Sequence, residues 1–112
     1  MELRFPLFMD LTGKPAVVVG GGTIGLRRAG VLRDFGAAVT VIAPEVTGSL
    51  DGMKPLLRAY CEGDLAGAFL VVAATNDRRV NHAVYVEAKR RGILVNVCDC
   101  QSECDFFFPA IC

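Results

Sequence analysis

An apolar run that leads directly into three glycines constrains the fold of this chain more than any other stretch. Residues 16–19 read Ala-Val-Val-Val, and glycines occupy positions 20–22 without an intervening linker. A short run without polar residues is typical of a strand buried on both faces, as in a parallel sheet covered by helices. The glycines at positions 20, 22 and 25 match the pattern G-x-G-x-x-G. The stretch therefore predicts a strand, a tight turn and a helix that begins beside an anion.

Each glycine of the pattern has a separate physical task. Gly20 permits the tight turn at the end of the strand, and Gly22 lets a pyrophosphate approach the backbone closely. Gly25 lets the following helix pack against the sheet, and Thr23 and Ile24 lie where that helix begins. The N–H groups and the positive dipole end of the helix would then face the anion. We interpret the loop as a dinucleotide site, and the alternative is a glycine-rich turn that binds no ligand.

Composition and charge exclude several classes of function. The 112 residues suit one domain, and 53% of them are hydrophobic. Twelve basic residues balance twelve acidic ones, which gives no electrostatic case for binding nucleic acid or an anionic membrane. No apolar run approaches the ~20 residues that span a bilayer, and residues 1–6 lack the features of a signal peptide. The five cysteines are expected to be reduced thiols of a cytoplasmic protein.

Strand and helix patterns alternate along the rest of the chain, which is typical of a parallel sheet built from βαβ units. Two further pieces flank this pattern. Residues 3–11, which contain Pro6, suit either an edge strand or a lead-in segment that covers the sheet, and residues 106–108 are expected to be extended. Right-handed crossovers favour the strand order 3-2-1-4-5, so the prediction is a Rossmann-like, doubly wound α/β domain. The predicted strands cover residues 16–19, 38–43, 56–60, 69–74 and 93–98, and the predicted helices cover residues 23–35 and 78–91.

Four loops are expected to meet at one crevice, because ligands of such sheets bind outside the carboxyl ends of the strands. The loops are residues 20–25, 43–45, 75–77 and 98–100. The adenosine end of a dinucleotide would run past the second loop, where an acidic residue should bind the ribose 2′-OH. Glu45 is the acid available there, and no arginine beside it would accommodate a 2′-phosphate. This arrangement favours NAD over NADP.

Asp99 is the candidate acid or base of the predicted crevice. It follows a strand that is expected to be buried, and a carboxylate partly covered by apolar walls can act as an acid or a base. An ordinary loop aspartate that closes a turn is the alternative. Asp77 is expected to cap the second helix, and His82, the only histidine, is expected to be structural or exposed to solvent.

Clustered cysteines and paired arginines leave alternatives open. The spacing of Cys98, Cys100 and Cys104 matches no common zinc or iron–sulfur module, so no metal site is predicted. Arginine pairs lie at positions 27–28 and 78–79, near the predicted helix starts. They are either solvated helix surface or contacts for a polyanionic ligand that carries carboxylates.

Several blocks of this sequence occur together, in the same order and at similar spacing, in one known family. The blocks are Phe-Pro-Leu-Phe at 5–8, the Val-Val-Val-Gly-Gly-Gly run with the arginines at 27–28, and residues 73–77, 95–99 and 104–110. Together they resemble the N-terminal domain of siroheme synthase. That family comprises precorrin-2 dehydrogenases, some of which are also sirohydrochlorin ferrochelatases. The resemblance covers essentially all 112 residues.

The resemblance implies an NAD-dependent oxidation of precorrin-2 to sirohydrochlorin on the route to sirohaem. The essential aspartate of the family falls on Asp99, and the carboxylates of the tetrapyrrole would give the paired arginines a purpose. Relatives continue beyond the position of Cys112 into a dimerisation region and a helical domain, so a homodimer is implied, with residues 1–112 as its NAD-binding domain. The NAD contacts of the family fall on Gly22, Thr23, Ile24, Pro44 and Glu45, with Thr75, Asn76 and Val97 as further contacts.

Two departures from the family pattern and two alternative functions accompany this reading. Gly25 stands where the family often has alanine, and Cys98 and Cys100 stand where apolar and acidic residues are expected. One alternative adds ferrochelatase activity at Asp99, with His82 as a further candidate. The other is a non-catalytic dinucleotide-sensing module, which needs the glycine loop and an acid for the ribose but no catalytic aspartate.

Overall fold

Five parallel strands form one sheet at the centre of residues 3–109, the part of the chain that the computed structural model describes. The strand order is β3-β2-β1-β4-β5, so the predicted doubly wound order is confirmed. Both predicted helices are also confirmed, since each agrees with the structure to within a residue. The elements are β1 (Pro15–Val19), α1 (Thr23–Asp34), β2 (Ala38–Ile42), β3 (Lys54–Leu56), β4 (Leu70–Ala73), α2 (Arg78–Arg91), β5 (Leu94–Val97) and a single 3₁₀ turn (Gln101–Glu103).

The sheet is buried on both faces, as its unbroken apolar strands predict. Successive side chains of a strand point to opposite faces. Val17 and Val19 of β1 accordingly pack on the side of α2, whereas Ala16 and Val18 pack on the side of α1. All four are buried. The two helices thus cover opposite faces and leave the carboxyl ends of the strands open at one edge, where a ligand site can form.

The two helices begin in different ways, and the difference matters for the site. The side chain of Asp77 accepts a hydrogen bond of 2.9 Å from the N–H of Arg79, so the predicted cap of α2 is confirmed. Gly92, with φ of 72°, closes that helix. At the start of α1 the N-cap residue is Gly22, which has no side chain to bond the first N–H groups. Those groups are left available for an anionic ligand.

The third strand, at the edge of the sheet, differs from the prediction. The third strand covers Lys54–Leu56 and not residues 56–60. After Leu56 the chain turns back on itself, because the N–H of Arg58 donates to the Leu56 carbonyl at 2.9 Å. Residues 3–11 and 106–108 join no strand of the described sheet. The last residues of the chain, Cys112 included, lie outside the described range. Within that range no helix is long and apolar enough to cross a bilayer.

A buried carboxylate ties α2 to the loop that follows β3. Glu87 is only 1% exposed. Its carboxylate accepts hydrogen bonds from the Tyr60 hydroxyl and from the Arg91 side chain, the latter at 2.7 Å. The N–H groups of Gly63 and Leu65 add bonds of 3.1 and 3.3 Å. Burial opposes ionisation, but these donors outweigh it and hold the pKa of Glu87 below its usual value.

Acidification should destabilise the domain through Glu87. Because its pKa in the folded state lies below the ordinary value of 4.5, its stabilisation is complete above that pH and disappears as the pH falls through the folded-state pKa. At neutral pH the Glu87→Gln variant should be less stable than the wild type by about 1–3 kcal/mol. The difference should shrink in acid, and thermal unfolding of both proteins across this pH range measures it. A stability gap that does not change with pH would contradict this account.

Candidate functional site

A cavity of about 750 Å³ opens at the carboxyl ends of the strands. This volume lies within the range of ~300–1,000 Å³ that is common for small-molecule and cofactor sites. The cavity lies beside β1 and β4, two neighbouring strands. After β1 the chain crosses to one face of the sheet, and after β4 it crosses to the other face. Doubly wound sheets bind ligands at such a point. The loops after all five strands contribute to its wall, through residues 20–24, 43–45, 59–60, 74–77 and 98.

Two glycines of the first loop are required by the packing of the fold. Gly20 has φ of 133°, and a Cβ atom added there would lie 2.3 Å from the carbonyl oxygen of Ala74. A Cβ atom on Gly25 would lie 2.5 Å from the carbonyl oxygen of Gly20. The turn and the close approach of α1 to β1 therefore both depend on the missing side chains.

Gly22 differs from its two neighbours in the pattern because it borders open space. A Cβ atom added there would meet no atom of the described chain within 4 Å, and its φ of −84° is accessible to any residue. The residue lines the cavity directly before the uncapped start of α1. The backbone here can be approached closely by a ligand, which fits a pyrophosphate beside the helix N-terminus.

Gly21 is a site residue that the sequence reasoning missed. A Cβ atom on Gly21 would lie 2.0 Å from the carbonyl oxygen of Glu45. The carbonyl oxygen of Gly21 in turn accepts a hydrogen bond of 2.9 Å from the N–H of Thr47. The loop after β2 is thus packed directly on the glycine loop, which brings Glu45 into the cavity wall. The signal in the sequence was the additional glycine at the first variable position of the G-x-G-x-x-G pattern.

The loop after β4 is held by a buried amide. Asn81 of α2 is fully buried, and its Oδ1 accepts from the N–H of Thr75 at 3.1 Å and from the Thr75 hydroxyl at 2.7 Å. Its Nδ2 donates to the Thr75 carbonyl at 3.0 Å. These three bonds fix Thr75 in the cavity wall, with the exposed Asn76 beside it. Asn81 was not predicted as part of the site, although a polar residue on the sheet-facing side of a helix is the signal for such a role.

Asp99 lies beyond the cavity wall, next to Cys98, which is part of it. Its side chain is 37% exposed, and its Oδ1 lies 2.9 Å from Nη1 of Arg78. Arg78 also pairs with Glu103, whose second oxygen lies 2.6 Å from Nδ1 of His82. The first turns of α2 thereby hold the segment that follows β5, in which Asp99 lies one residue beyond the cavity wall.

Charge pairing also sets the ionisation of Glu103 in this cluster. Partial burial opposes ionisation, but the hydrogen bonds from His82 and Arg78 together hold the pKa of Glu103 below its usual value. His82 itself is 57% exposed, which agrees with its interpretation as structural or exposed to solvent. The role of this histidine in the structure is to anchor Glu103.

Most of the predicted cofactor residues come together in the cavity, and two lie behind its wall. Gly25 is buried under the glycine loop, and Val97 is only 2% exposed within the core. The wall also contains residues that were not predicted, among them Ala59, Tyr60 and Val80. The predicted residues that line the cavity are Gly20, Gly22, Thr23, Ile24, Pro44, Glu45, Thr75 and Asn76.

The clustered cysteines act as thiols in the structure. Cys104 Sγ accepts a bond of 3.1 Å from the N–H of Val97 and lies 3.2 Å from the carbonyl oxygen of the same residue. Cys98 lies in the cavity wall, and burial raises the pKa of its thiol. In residues 3–109 no group of three or more His, Cys, Asp or Glu side chains is arranged to hold a metal ion.

The arginines near the helix starts have different surroundings. Arg28 donates to Oδ1 of the buried Asn96 at 2.7 Å, and its guanidinium lies 5.3 Å from the centre of the Phe108 ring. It therefore joins α1 to β5 and to the segment that follows the 3₁₀ turn. Arg78 is occupied by two carboxylates, as described above, whereas Arg27 and Arg79 are exposed.

The doubly wound sheet, the glycine loop before an uncapped helix and the cavity at the strand ends define a Rossmann-like dinucleotide-binding domain. A family described as putative NAD(P)-binding matches residues 7–110. The chain belongs to this NAD(P)-binding family.

Relatives of known type confirm the resemblance to siroheme synthases. The chain is 50% identical over 114 residues to a probable multifunctional siroheme biosynthesis protein HemA of Ruminiclostridium josui. This alignment covers 96% of the chain and 22% of the relative. It is 45% identical over 110 residues to a siroheme synthase of Ectopseudomonas mendocina. This second alignment covers 95% of the chain and 24% of that protein. The chain thus spans less than a quarter of the length of these curated relatives.

A solved structure confirms the fold. The chain superposes on SirC, a precorrin-2 dehydrogenase, with a TM-score of 0.85 and 34% sequence identity. The match covers 96% of this chain and 55% of the SirC chain. The Rossmann-like α/β fold predicted from the sequence is thus confirmed, and it is shared with the matched part of SirC.

Proposed function

We propose that residues 1–112 are the NAD-binding domain of a precorrin-2 dehydrogenase, which oxidises precorrin-2 to sirohydrochlorin in sirohaem biosynthesis. The observation that carries the proposal is the match to SirC, a precorrin-2 dehydrogenase, over 96% of the chain. Relatives named siroheme synthase support the same pathway. The cavity with its glycine loop supplies a site for the cofactor.

The residues of the cavity suit the pyrophosphate and the adenosine ribose of NAD. The open space at Gly22 and the uncapped start of α1 suit the pyrophosphate. Glu45 in the wall suits the ribose 2′-OH of the adenosine half. Among the described residues that line the cavity there is no arginine or lysine for a 2′-phosphate. Arg58, which follows β3, is engaged by Asp64 through bonds of 2.8 and 2.9 Å. These observations favour NAD over NADP.

Asp99 is the acid or base in this proposal. When bound, NAD supplies the hydride acceptor for the oxidation of the macrocycle. The loss of a proton from the substrate accompanies hydride removal, and a positioned carboxylate next to the cavity wall can accept it. Arg78 fixes one carboxylate oxygen of Asp99 and leaves the other without a hydrogen bond among the described residues. That second oxygen is the one we assign to the substrate proton.

The whole protein is proposed to be a cytoplasmic homodimer that binds neither nucleic acid nor membranes. Within these 112 residues, equal numbers of acidic and basic residues give no electrostatic case for a polyanionic partner. The segment that precedes β1, residues 3–11, exposes large apolar side chains: Leu3 is 94% exposed, Phe5 85% and Phe8 99%. Such a contiguous apolar segment is typical of an interaction surface, which supports a second copy as the partner.

Anaerobic incubation of the protein with precorrin-2 and NAD⁺ tests the proposed function. We expect sirohydrochlorin, followed by its absorbance, to form only when protein and NAD⁺ are both present. The rate with NADP⁺ should be at least ~10-fold lower, because the 2′-phosphate would meet the Glu45 carboxylate. Binding of NAD⁺ without turnover would mean either that residues 1–112 are only the cofactor half of the enzyme or that they are a dinucleotide-sensing module. Equal rates with both cofactors would contradict the role of Glu45.

A further inference from the structure

Tyr60 lies at the end of the cavity that corresponds to the adenosine half of a dinucleotide. The residue follows β3, which pairs with β2, and the loop after β2 carries Glu45. The N–H of Ala43 donates to the Leu56 carbonyl at 3.1 Å, so the ends of these two strands lie side by side. Thr75 follows β4, on the far side of β1. Because the acid after the second strand marks the adenosine ribose, Tyr60 lies on the adenosine side.

The position of Tyr60 is fixed before any ligand binds. Its ring packs against the core cluster between α2 and the sheet, and its hydroxyl donates to the buried Glu87. Burial and the adjacent carboxylate raise the pKa of the phenol, so the hydroxyl remains a donor at neutral pH. Asp64 holds the same loop through Arg58 and through the N–H of Cys61 at 2.8 Å. A rigid wall loses little entropy when a ligand packs on it.

We propose that the ring of Tyr60 is the wall against which the adenine of the dinucleotide packs. The inference rests on the proposed NAD binding and extends it, since it assigns the base-binding end of the cavity to a particular side chain. Ala59 and Pro44 line the same cavity and add apolar surface, which suits a planar base. Aromatic side chains bind nucleobases effectively because every base presents a π-face. Glu87 is the positioning residue that holds the ring in place.

Calorimetric titrations with NAD⁺, AMP and NMN separate the two halves of the site. In the Tyr60→Leu variant, the affinities for NAD⁺ and for AMP should each fall about 10-fold, because the base loses its aromatic partner. The affinity for NMN, which contains no adenine, should not change. The matched control is Tyr60→Phe, which loses the same hydrogen bond to Glu87 but keeps the ring. Its affinities for all three ligands should stay within about 3-fold of the wild type.

Each other outcome has a definite meaning, provided that thermal unfolding shows both variants to be folded at the titration temperature. An unchanged AMP affinity in Tyr60→Leu would overturn the inference, and so would an equal loss for AMP and NMN. Equal losses in the Leu and Phe variants would assign the effect to the bond with Glu87 and not to the ring. If the wild-type protein binds neither NAD⁺ nor AMP, the proposed function is overturned. If the wild type binds both ligands and the Tyr60→Leu variant binds them with the same affinities, only this inference is overturned.

Discussion

The Asp99→Asn substitution should lower the rate of precorrin-2 oxidation by about 10²–10⁴-fold, the usual contribution of a general acid or base. Asparagine has nearly the same size as aspartate but cannot accept the substrate proton. Asp99 lies outside the cavity wall, so the affinity for NAD⁺ should stay within about 2-fold of the wild type. Turnover measured under anaerobic conditions, together with NAD⁺ titration of the same preparation, checks both expectations.

The Asp34→Asn variant is the matched control for this substitution. Asp34 ends α1, and its side chain is 66% exposed, so the same loss of one charge occurs away from the crevice. Its rate and NAD⁺ affinity should equal those of the wild type. A turnover rate of Asp99→Asn close to that of Asp34→Asn would contradict the catalytic role of Asp99. A parallel loss of turnover and NAD⁺ affinity would instead indicate that Asp99 shapes the cofactor site.

The centre of the fold could be predicted from the sequence because its signals are local. The valines of β1, the turn at Gly20 and the helical periodicity of α1 follow one another in a single stretch. The cap of α2 at Asp77 and its end at Gly92 are also local, since each depends on backbone geometry within a few residues. Local signals of this kind fix elements and their order, and the right-handed crossover then fixes the sheet.

The edge of the sheet could not be predicted in the same way because tertiary contacts determine it. The apolar Leu56 and Leu57 favoured a strand over residues 56–60, yet β3 begins at Lys54. The register with β2 pairs Leu56 with Ile42, and the chain then leaves the sheet to form the Arg58–Asp64 ion pair. No pattern within the segment itself encodes these two contacts.

Several side chains of the site were missed for a related reason. Glu87 reads in the sequence as a charged residue on a solvated helix, but three of its donors belong to a loop 22 to 27 positions earlier in the chain. The pairing of Arg78 with Asp99 spans 21 positions. The sequence therefore indicated that arginines and a carboxylate lie near the crevice, whereas only the fold shows which of them touch.

Adding one methyl group should lower the stability of the domain at Gly20 and the affinity for NAD⁺ at Gly22. The contrast shows which glycine is required by the fold and which by the ligand. The Gly20→Ala variant should be destabilised by about 2–5 kcal/mol, from backbone strain and overpacking together. Its φ of 133° is unfavourable for alanine, and its Cβ would lie 2.3 Å from the Ala74 carbonyl oxygen, a backbone atom that cannot rotate away. Thermal or denaturant unfolding measures the loss, which is a large fraction of the stability of a small domain.

The Gly22→Ala variant should keep its stability within about 0.5 kcal/mol of the wild type, because its φ of −84° is ordinary and the new methyl meets no described atom within 4 Å. Its affinity for NAD⁺ should nevertheless fall about 10-fold or more, since the methyl occupies the space through which a pyrophosphate approaches the backbone. A stable variant that binds NAD⁺ as tightly as the wild type would contradict the placement of the pyrophosphate at Gly22. A variant that unfolds as readily as Gly20→Ala would show that the open space beside Gly22 is needed by the fold itself.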